Sequence, residues 1–73
     1  MNYGDFYKKL GKNIKKRRLE LNLTQQTLAE KINRSLNFVG KIEVAFSKPS
    51  LKTLIDIANA MDTSVSELCN FKK

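Results

Sequence analysis

Side chains able to carry catalysis are few and dispersed in this 73-residue sequence. Histidine is absent, Cys69 is the one cysteine, and the seven carboxylates are scattered along the chain. Acid–base and nucleophilic catalysis need such groups gathered in one pocket, and a tetrahedral zinc site needs several cysteines or histidines. No glycine-rich phosphate-binding loop or dinucleotide fingerprint occurs. The sequence therefore predicts a protein that is not an enzyme and that holds no metal or cofactor.

Basic side chains are in clear excess. Fourteen Lys and Arg residues face seven Asp and Glu residues, so the net charge is +7. Half of these cations fall in the first quarter of the chain, against Asp5 alone: Lys8, Lys9, Lys12, Lys15, Lys16, Arg17 and Arg18. A field of this sign attracts polyanions such as nucleic acid or anionic lipid, although such a run is also typical of a solvated helix face.

Length and composition predict one small domain covering residues 1–73. Charged residues interrupt every hydrophobic stretch, so no window approaches the roughly 18 apolar residues that a membrane span needs. A single cysteine cannot form an intrachain disulfide, and no secretory leader pattern is present. We therefore expect a cytoplasmic, soluble protein.

The basic run is expected on an amphipathic first helix, from about Phe6 to Leu21. Its apolar residues recur at helical spacing at Phe6, Leu10, Ile14 and Leu21. Asn22 is expected to end this helix.

Two short helices joined by a tight turn are predicted next, over Thr24 to Ile32 and Ser35 to Val44, with Thr24 and Ser35 as N-caps. Asn33 suits the turn because asparagine tolerates a positive φ better than other non-glycine residues. In this arrangement the second helix of the pair projects from the body of the domain, and an α-helix fits into the major groove of DNA. The residues expected in the core are Leu28, Ala29, Ile32, Val39 and Ile42.

The last third of the chain predicts two further helices. Pro49 and Ser50 mark the start of the fourth, whose apolar stripe is Leu51, Leu54, Ile57, Ala58 and Met61. Ser64 and Glu67 form a capping box that opens a fifth, with Val65 and Leu68 turned inward. The expected fold class is all-α with five helices, followed by a frayed tail over residues 70–73.

The sequence resembles the Cro/cI-type helix-turn-helix family, which includes phage repressors and small bacterial regulators. The resemblance covers about Leu10 to Leu68 and rests on Leu23-Thr24-Gln25-Gln26, Leu28-Ala29-Glu30-Lys31-Ile32, Val39, Lys41-Ile42-Glu43, Pro49-Ser50-Leu51, Thr53-Leu54, Ile57-Ala58 and Ser64 to Leu68. It implies a lambda-repressor-like DNA-binding domain with its helix-turn-helix motif at about residues 25–44. Three positions depart from the family pattern: Asn33 and Ala45 stand where the family usually has glycine, and Arg34 stands where it usually has a small apolar residue.

The resemblance also implies which residues meet DNA. Base-reading side chains would be Leu36, Asn37 and Lys41, with Ser35 and Phe38 beside them, and phosphate contacts would come from Gln25, Ser47 and Lys48. Asn37 can pair with adenine, Lys41 can donate to guanine, and Leu36 or Phe38 can touch a thymine methyl. The alternatives are a plain surface role for Gln25 and Lys41 and core packing for Phe38.

Three further expectations concern the Arg18–Glu43 pair, Gly40 and Phe46. Arg18 and Glu43 are expected to pair and to fix the third helix in place. Gly40, in mid-helix, lets either DNA or a neighbouring helix approach closely. Phe46 either fills the core or lies in a subunit interface.

The function that the sequence favours is a transcriptional regulator, of repressor or controller type, that reads a palindromic double-stranded DNA operator through the major groove. Two alternatives stay open: an antitoxin-like protein-interaction module with secondary DNA binding, and non-specific binding to nucleic acid or membrane through the basic first helix.

We expect a homodimer, because one short reading helix gives little specificity alone. Its interface is expected at the fourth and fifth helices and the tail, where Leu68 and Phe71 would be exposed. No small-molecule effector is evident.

Overall fold

Five α-helices and no strand make up the regular structure of residues 1–71, the part of the chain that the computed structural model describes. The helices are α1 (Tyr3–Glu20), α2 (Gln25–Lys31), α3 (Leu36–Glu43), α4 (Leu51–Ala60) and α5 (Val65–Leu68). The all-α, five-helix prediction is therefore confirmed. The first helix begins at Tyr3 and not at Phe6, because the Asn2 side chain accepts a hydrogen bond from the Asp5 N–H and caps it.

Every helix begins at a side-chain cap, in which an oxygen accepts the N–H of the residue three positions on. The caps are Asn2, Thr24, Ser35, Ser50 and Ser64. The sequence predicted the caps at Thr24, Ser35 and Ser64, because short hydroxyl side chains there precede an apolar run. These caps fix where α2, α3 and α5 begin.

The first four helices end in the same way, with a left-handed residue just after the C-cap. These residues are Asn22, Asn33, Ala45 and Asp62, with φ between 52° and 64°. The next N–H in each case donates back to the last helical turn, for example from Phe46 to the Lys41 carbonyl at 2.8 Å. None of the chain's glycines is used in these turns, since no glycine has a positive φ.

We expect Ala45→Gly to raise the free energy of unfolding. A non-glycine residue in the left-handed conformation costs about 1–2 kcal/mol. Glycine removes this strain, but it also raises the conformational entropy of the unfolded chain, which lowers stability by only about 0.4–1 kcal/mol. The net gain is about 0.5–1 kcal/mol, measured by urea unfolding. The matched control is Ala60→Gly at the end of α4, which is expected to destabilise. If Ala45→Gly lowered the free energy of unfolding as much as Ala60→Gly does, the prediction would be contradicted.

The core draws on all five helices. Its buried residues are Leu10, Ile14, Leu28, Ala29, Ile32, Val39, Ile42, Leu54, Ile57, Ala58, Met61 and Leu68. Two residues predicted to face inward are exposed instead. Leu21 follows the last turn of α1, and Leu51, 67% exposed, lies on the flank of the α4 stripe beside exposed Ile55.

The chain beyond α5 returns to α1. Leu68 is 2% exposed and so leaves no apolar surface, which makes its predicted place in a dimer interface wrong. The Phe71 ring is half-buried and meets the Phe6 ring edge-on, with centroids 5.2 Å apart. Asn13 donates to the Asn70 carbonyl at 3.1 Å. The frayed tail stays a prediction for residues 72–73, which lie outside the described residues.

Polar side chains of α1 also cap the ends of other helices. Arg17 donates through Nε to the Met61 carbonyl at 2.9 Å and through a terminal nitrogen to the Asp62 carbonyl at 3.1 Å. Asn13 donates to the Leu68 carbonyl at 2.8 Å. These bonds satisfy carbonyls at the ends of α4 and α5, where no intrahelical N–H is left to pair with them.

In residues 1–71 no helix has the length and apolar character needed to cross a membrane.

Candidate nucleic-acid interface

The third helix presents one face to solvent and buries the other. Val39 and Ile42 face the core, whereas Asn37 and Lys41 are exposed one turn apart, as the sequence predicts. Leu36 lies beside them and is 48% exposed. Ser35 is exposed, but its Oγ accepts the Phe38 N–H at 3.1 Å and so serves first as the helix cap. The exposed face therefore combines amide, ammonium and apolar groups.

Phe38 is placed differently from its neighbours. Its ring is half-buried against the core, and the Arg34 guanidinium lies over the ring, 4.8 Å from its centroid. Cation–π contacts of this kind are worth about 0.5–1 kcal/mol at exposed sites. Core packing, one of the two alternatives for Phe38, therefore fits the structure, and Leu36 is the residue free to touch an apolar ligand group.

Phe46 lies in the loop after α3 and is 76% exposed. Core filling, one of its two predicted roles, is therefore wrong, because the Schellman turn at Ala45 directs the loop outward. The Lys41 ammonium lies 5.7 Å from the Phe46 ring centroid. The loop thus adds an exposed aromatic ring beside the cation of the α3 face.

Ser47 and Lys48 continue this loop toward α1. The Ser47 N–H donates to the Lys41 carbonyl at 3.2 Å, which ties the loop to the end of α3. Lys48 is exposed, and its ammonium lies 5.7 Å from the ring centroid of Tyr7. Lys48 therefore joins the edge of α3 to the basic surface of α1.

A buried ion pair fixes the position of α3. Arg18 donates to both carboxylate oxygens of Glu43, at 2.7 Å from Nε and 3.0 Å from a terminal nitrogen. Both side chains are buried, and a further nitrogen of Arg18 donates to the Leu23 carbonyl at 2.9 Å. The pair that the resemblance implied is thus brought together, and it joins α1, the α1–α2 turn and α3.

Gln25 belongs to the same network. Its Nε2 donates to Glu43 Oε1 at 3.0 Å, and the side chain is half-buried. A plain surface role for Gln25 therefore does not fit the structure. Its phosphate contact stays a prediction, but the amide that would make it is already oriented by Glu43.

A model of the helix-turn-helix family matches residues 14–68, which include the network and the exposed face of α3. The chain belongs to the Cro/cI-type helix-turn-helix family. The predicted family is therefore confirmed.

Three curated relatives carry the same domain within longer chains. The chain is 33% identical over 61 residues to the cryptic phage CTXphi transcriptional repressor RstR of Vibrio cholerae, covering 84% of this chain and 54% of that protein. It is 42% identical over 59 residues to the immunity repressor protein of Bacillus phage phi105, covering 81% and 41%. It is 38% identical over 56 residues to the HTH-type regulator YqaE of Bacillus subtilis, covering 77% and 48%. The chain spans about half the length of these relatives.

Two solved structures share the fold over most of the chain. The restriction-modification controller protein C.AhdI of Aeromonas hydrophila superposes with a TM-score of 0.83 at 30% identity, covering 90% of this chain and 98% of that one. The clp gene regulator ClgR of Corynebacterium glutamicum gives 0.84 at 22% identity, covering 86% and 67%. The second likeness shows the fold alone.

The departures from the family pattern leave the turns of the helix-turn-helix domain intact. Asn33 and Ala45 both have the positive φ that the family's glycine would supply. Arg34, where the family has a small apolar residue, covers the Phe38 ring. The chain thus keeps the family's backbone turns with different side chains.

The basic surface of α1 is smaller than the sequence suggests. Of the seven cations there, Arg17 and Arg18 are tied to carbonyl and carboxylate groups of the protein itself. The exposed ones are Lys8, Lys9, Lys12, Lys15 and Lys16. The sequence could not separate the two sets, because both belong to one charge run.

Cys69 is half-buried, and desolvation raises the pKa of its thiol. At neutral pH the thiol therefore stays protonated and a poor nucleophile. Within residues 1–71, no group of three or more acidic, Cys or His side chains is placed to hold a metal ion.

Proposed function

We propose that this protein is a DNA-binding transcriptional regulator that places α3 in the major groove of its operator. The observation that carries this proposal is the one-sided exposure of α3, whose inner face and C-terminal end are held by the core and the Arg18–Glu43 pair. Relatives named as repressors, a transcriptional regulator and a restriction-modification controller support it. The function needs no catalytic group.

The proposed contacts divide into base-reading and positioning groups. Asn37 offers an amide that pairs in two places with adenine, and Lys41 offers a donor to guanine O6 or N7. Gln25, Ser47 and Lys48 contact phosphates and set the register of α3, without reading sequence. The net charge of +7 favours approach to DNA and makes the affinity depend on salt.

Two copies are proposed to bind one palindrome, with reading helices about one helical turn, roughly 34 Å, apart. Within α4 and α5, the large apolar residues that are exposed and so available for a dimer contact are Leu51 and Ile55, one turn apart on α4. They replace Leu68 in the expected interface. The proposed site of action is the cytoplasm, where the DNA of a bacterial or phage regulator lies.

Exposed apolar side chains also favour a second candidate function, an antitoxin-like module whose main partner is another protein. Phe46 and Leu51 are 76% and 67% exposed and offer apolar contacts to a protein partner. In that case the protein would bind DNA without sequence preference, or only as part of a complex. DNA selection separates the two functions.

We expect the purified protein to retain one palindrome from fragmented DNA of the source genome. Asn37→Ala and Lys41→Ala should each weaken binding to that palindrome about 5- to 150-fold, because a good base contact is worth about 1–3 kcal/mol. The matched control is Lys52→Ala, which removes the same charge from an exposed position on α4. Sequence-blind retention, or equal losses at Lys41 and Lys52, would contradict the reading role.

A further inference from the structure

An open groove of about 720 Å³ runs between α1 and the segment that follows α4. One wall is a row of three exposed lysines on α1, namely Lys9, Lys12 and Lys16. The other wall comes from the α4–α5 turn, α5 and the residues after it, and it includes Glu67 and Phe71. We call this the α1–α5 groove. None of the side chains proposed to contact DNA lines it.

The α1–α5 groove lies on the side of α1 that faces away from α3. Two residues mark the α3-facing side: Gly11, which is buried against the end of α3, and Arg18, which pairs with Glu43. An α-helix turns about 100° per residue, so these two residues lie on nearly the same side of α1. By the same count, the three lysines of the groove lie roughly 110–170° from that side. They therefore face away from a DNA duplex that holds α3.

The charges of the α1–α5 groove are unbalanced. Arg17, which also lines the groove, donates to backbone carbonyls and pairs with Glu20 at 3.4 Å, so these two charges offset each other. Among the described residues of the groove, the three lysines then face Glu67 as the one remaining carboxylate. No ion pair joins these lysines to any of residues 1–71. Like charges one turn apart on a helix repel each other, so the row weakens α1 unless an anion lies beside it.

The shape and chemistry of the groove favour a protein segment as that anion. The lysine row rises about 10 Å along α1, a distance that three or four residues of extended chain span. Carboxylates on alternate residues of such a segment lie about 7 Å apart, within reach of neighbouring lysines on their flexible stems. Glu67 offers an acceptor for a backbone N–H, and the exposed part of the Phe71 ring offers an apolar contact.

Nucleic acid and membrane fit the groove less well. A DNA duplex carries its phosphates on a rigid, convex surface, which would meet the lysines without entering the groove. The Glu20 and Glu67 carboxylates, which lie in the groove, would repel phosphate. A membrane surface is nearly flat and would likewise leave the groove empty. The favoured occupant is therefore a chain narrow enough to enter and rich in carboxylates.

We propose that the α1–α5 groove is a docking site for an acidic segment of a partner protein, and that this segment binds while α3 is on DNA. Docking itself is independent of the proposed function, and only the simultaneous binding rests on it. Each exposed pair of lysine and carboxylate is weak, so the segment needs several carboxylates, and its binding weakens as salt is added. The groove would bring a second protein to the operator.

The probe is a synthetic peptide of about ten residues in which glutamate alternates with alanine. We expect it to bind the full chain in fluorescence anisotropy, and we expect the matching glutamine–alanine peptide not to bind. In two-dimensional NMR spectra of the amide groups, the largest shifts should occur at Lys12, Lys16 and Glu67. Largest shifts at Asn37 and Lys48 would mean that the peptide imitates DNA, and would overturn the proposal. Absence of binding at about 1 mM peptide would overturn it as well.

Two double variants with the same net charge locate the binding. Lys12→Glu/Lys16→Glu reverses two charges of the groove, and we expect it to weaken peptide binding about tenfold or more. Lys8→Glu/Lys15→Glu reverses two exposed charges of the same helix outside the groove, and the loss should be less than about threefold. Thermal unfolding checks that both variants fold. Equal losses would show that the peptide responds to net charge alone, which overturns the docking site.

Operator DNA separates this inference from the proposed function. The peptide should bind the protein–operator complex within about threefold of its affinity for the free protein, and displacement by the operator would overturn simultaneous binding. If DNA selection retains no sequence while the peptide still binds in the groove, the regulator fails and the docking site stands. A second labelled duplex and phosphatidylserine vesicles are the competing probes. If Lys12→Glu/Lys16→Glu abolishes binding of either one and leaves peptide binding unchanged, the groove belongs to that anion and the proposal is overturned.

Discussion

Arg18→Met is expected to lower the free energy of unfolding by about 3–5 kcal/mol, the cost of leaving one member of a buried ion pair uncompensated. The Glu43 carboxylate is nearly inaccessible, and Arg18 supplies two of its hydrogen bonds, at 2.7 and 3.0 Å. Gln25 supplies one more, but an amide does not neutralise the charge. Small domains of this size have little stability to spare, so the variant should be substantially unfolded at 37 °C.

The double variant Arg18→Met/Glu43→Met tests whether the loss comes from the orphaned charge. Replacing both partners by apolar residues of similar volume is often neutral or stabilising, so we expect urea unfolding to return to within about 1 kcal/mol of the wild type. Lys52→Met is the matched control, because it breaks the exposed pair with Asp56 and should cost at most about 1 kcal/mol. A double variant as unstable as Arg18→Met would show that Arg18 acts through its packing.

The same variants separate stability from positioning. The Glu43 carboxylate accepts hydrogen bonds from Arg18 of α1 and from Gln25 of α2. Glu43 therefore fixes the end of α3 and orients the Gln25 side chain, which is predicted to contact phosphate. The double variant is therefore expected to fold but to bind DNA more weakly than the wild type. Together these two results would show that the ion pair serves the placement of α3 more than the stability of the fold.

The local rules in the sequence predicted most of the helix boundaries. Hydroxyl caps at Thr24, Ser35 and Ser64 and the left-handed Asn33 all depend on residues within a few positions of one another. Such effects can be calculated from a short window. The family resemblance added the Arg18–Glu43 pair, which links residues too far apart for any local rule.

Side-chain placement could not be predicted where it depends on how helices meet. Two phenylalanines show this: Phe38 packs against the core under Arg34, whereas Phe46, equally apolar, is exposed beside Lys41. Arg17 looks like one more cation of a basic run, yet it caps the end of α4. In each case the partner lies on another element or follows a turn, and the sequence contains no spacing signal for it.

Gly11 is the residue whose role the sequence concealed most completely. It lies within α1, where the sequence indicates only a residue of low helix propensity. In the structure it is buried where α1 crosses the end of α3. A Cβ there would collide with the Glu43 carbonyl oxygen and would lie 2.7 Å from the Ile42 carbonyl oxygen. The two helices can approach this closely only because residue 11 has no side chain.

Gly11→Ala is therefore expected to destabilise the protein by about 2 kcal/mol or more. Overpacking costs about 1–3 kcal/mol and occasionally more, and the cost here is expected at or above the upper end of that range, because the obstacle is backbone, which cannot rotate away as a side chain can. The gain in helix propensity offsets only about 1 kcal/mol. Thermal unfolding should show a melting temperature lower by about 8 °C or more. Part of the loss should appear as a displaced α3 and weaker operator binding.

The other two glycines provide matched controls for the same chemical change. Gly4 lies in the same helix, and a Cβ there would meet only the Asn2 side chain, at 3.4 Å. A Cβ at Gly40 would make only ordinary van der Waals contact with the Gln25 amide, at 3.8 and 3.9 Å, so alanine at either position should stabilise the fold by up to about 1 kcal/mol. Opposite signs at Gly11 and Gly4, within one helix, would assign the difference to the α1–α3 crossing. A stabilising Gly11→Ala would instead mean that the two helices separate at little cost, and that the Arg18–Glu43 pair alone sets the position of α3.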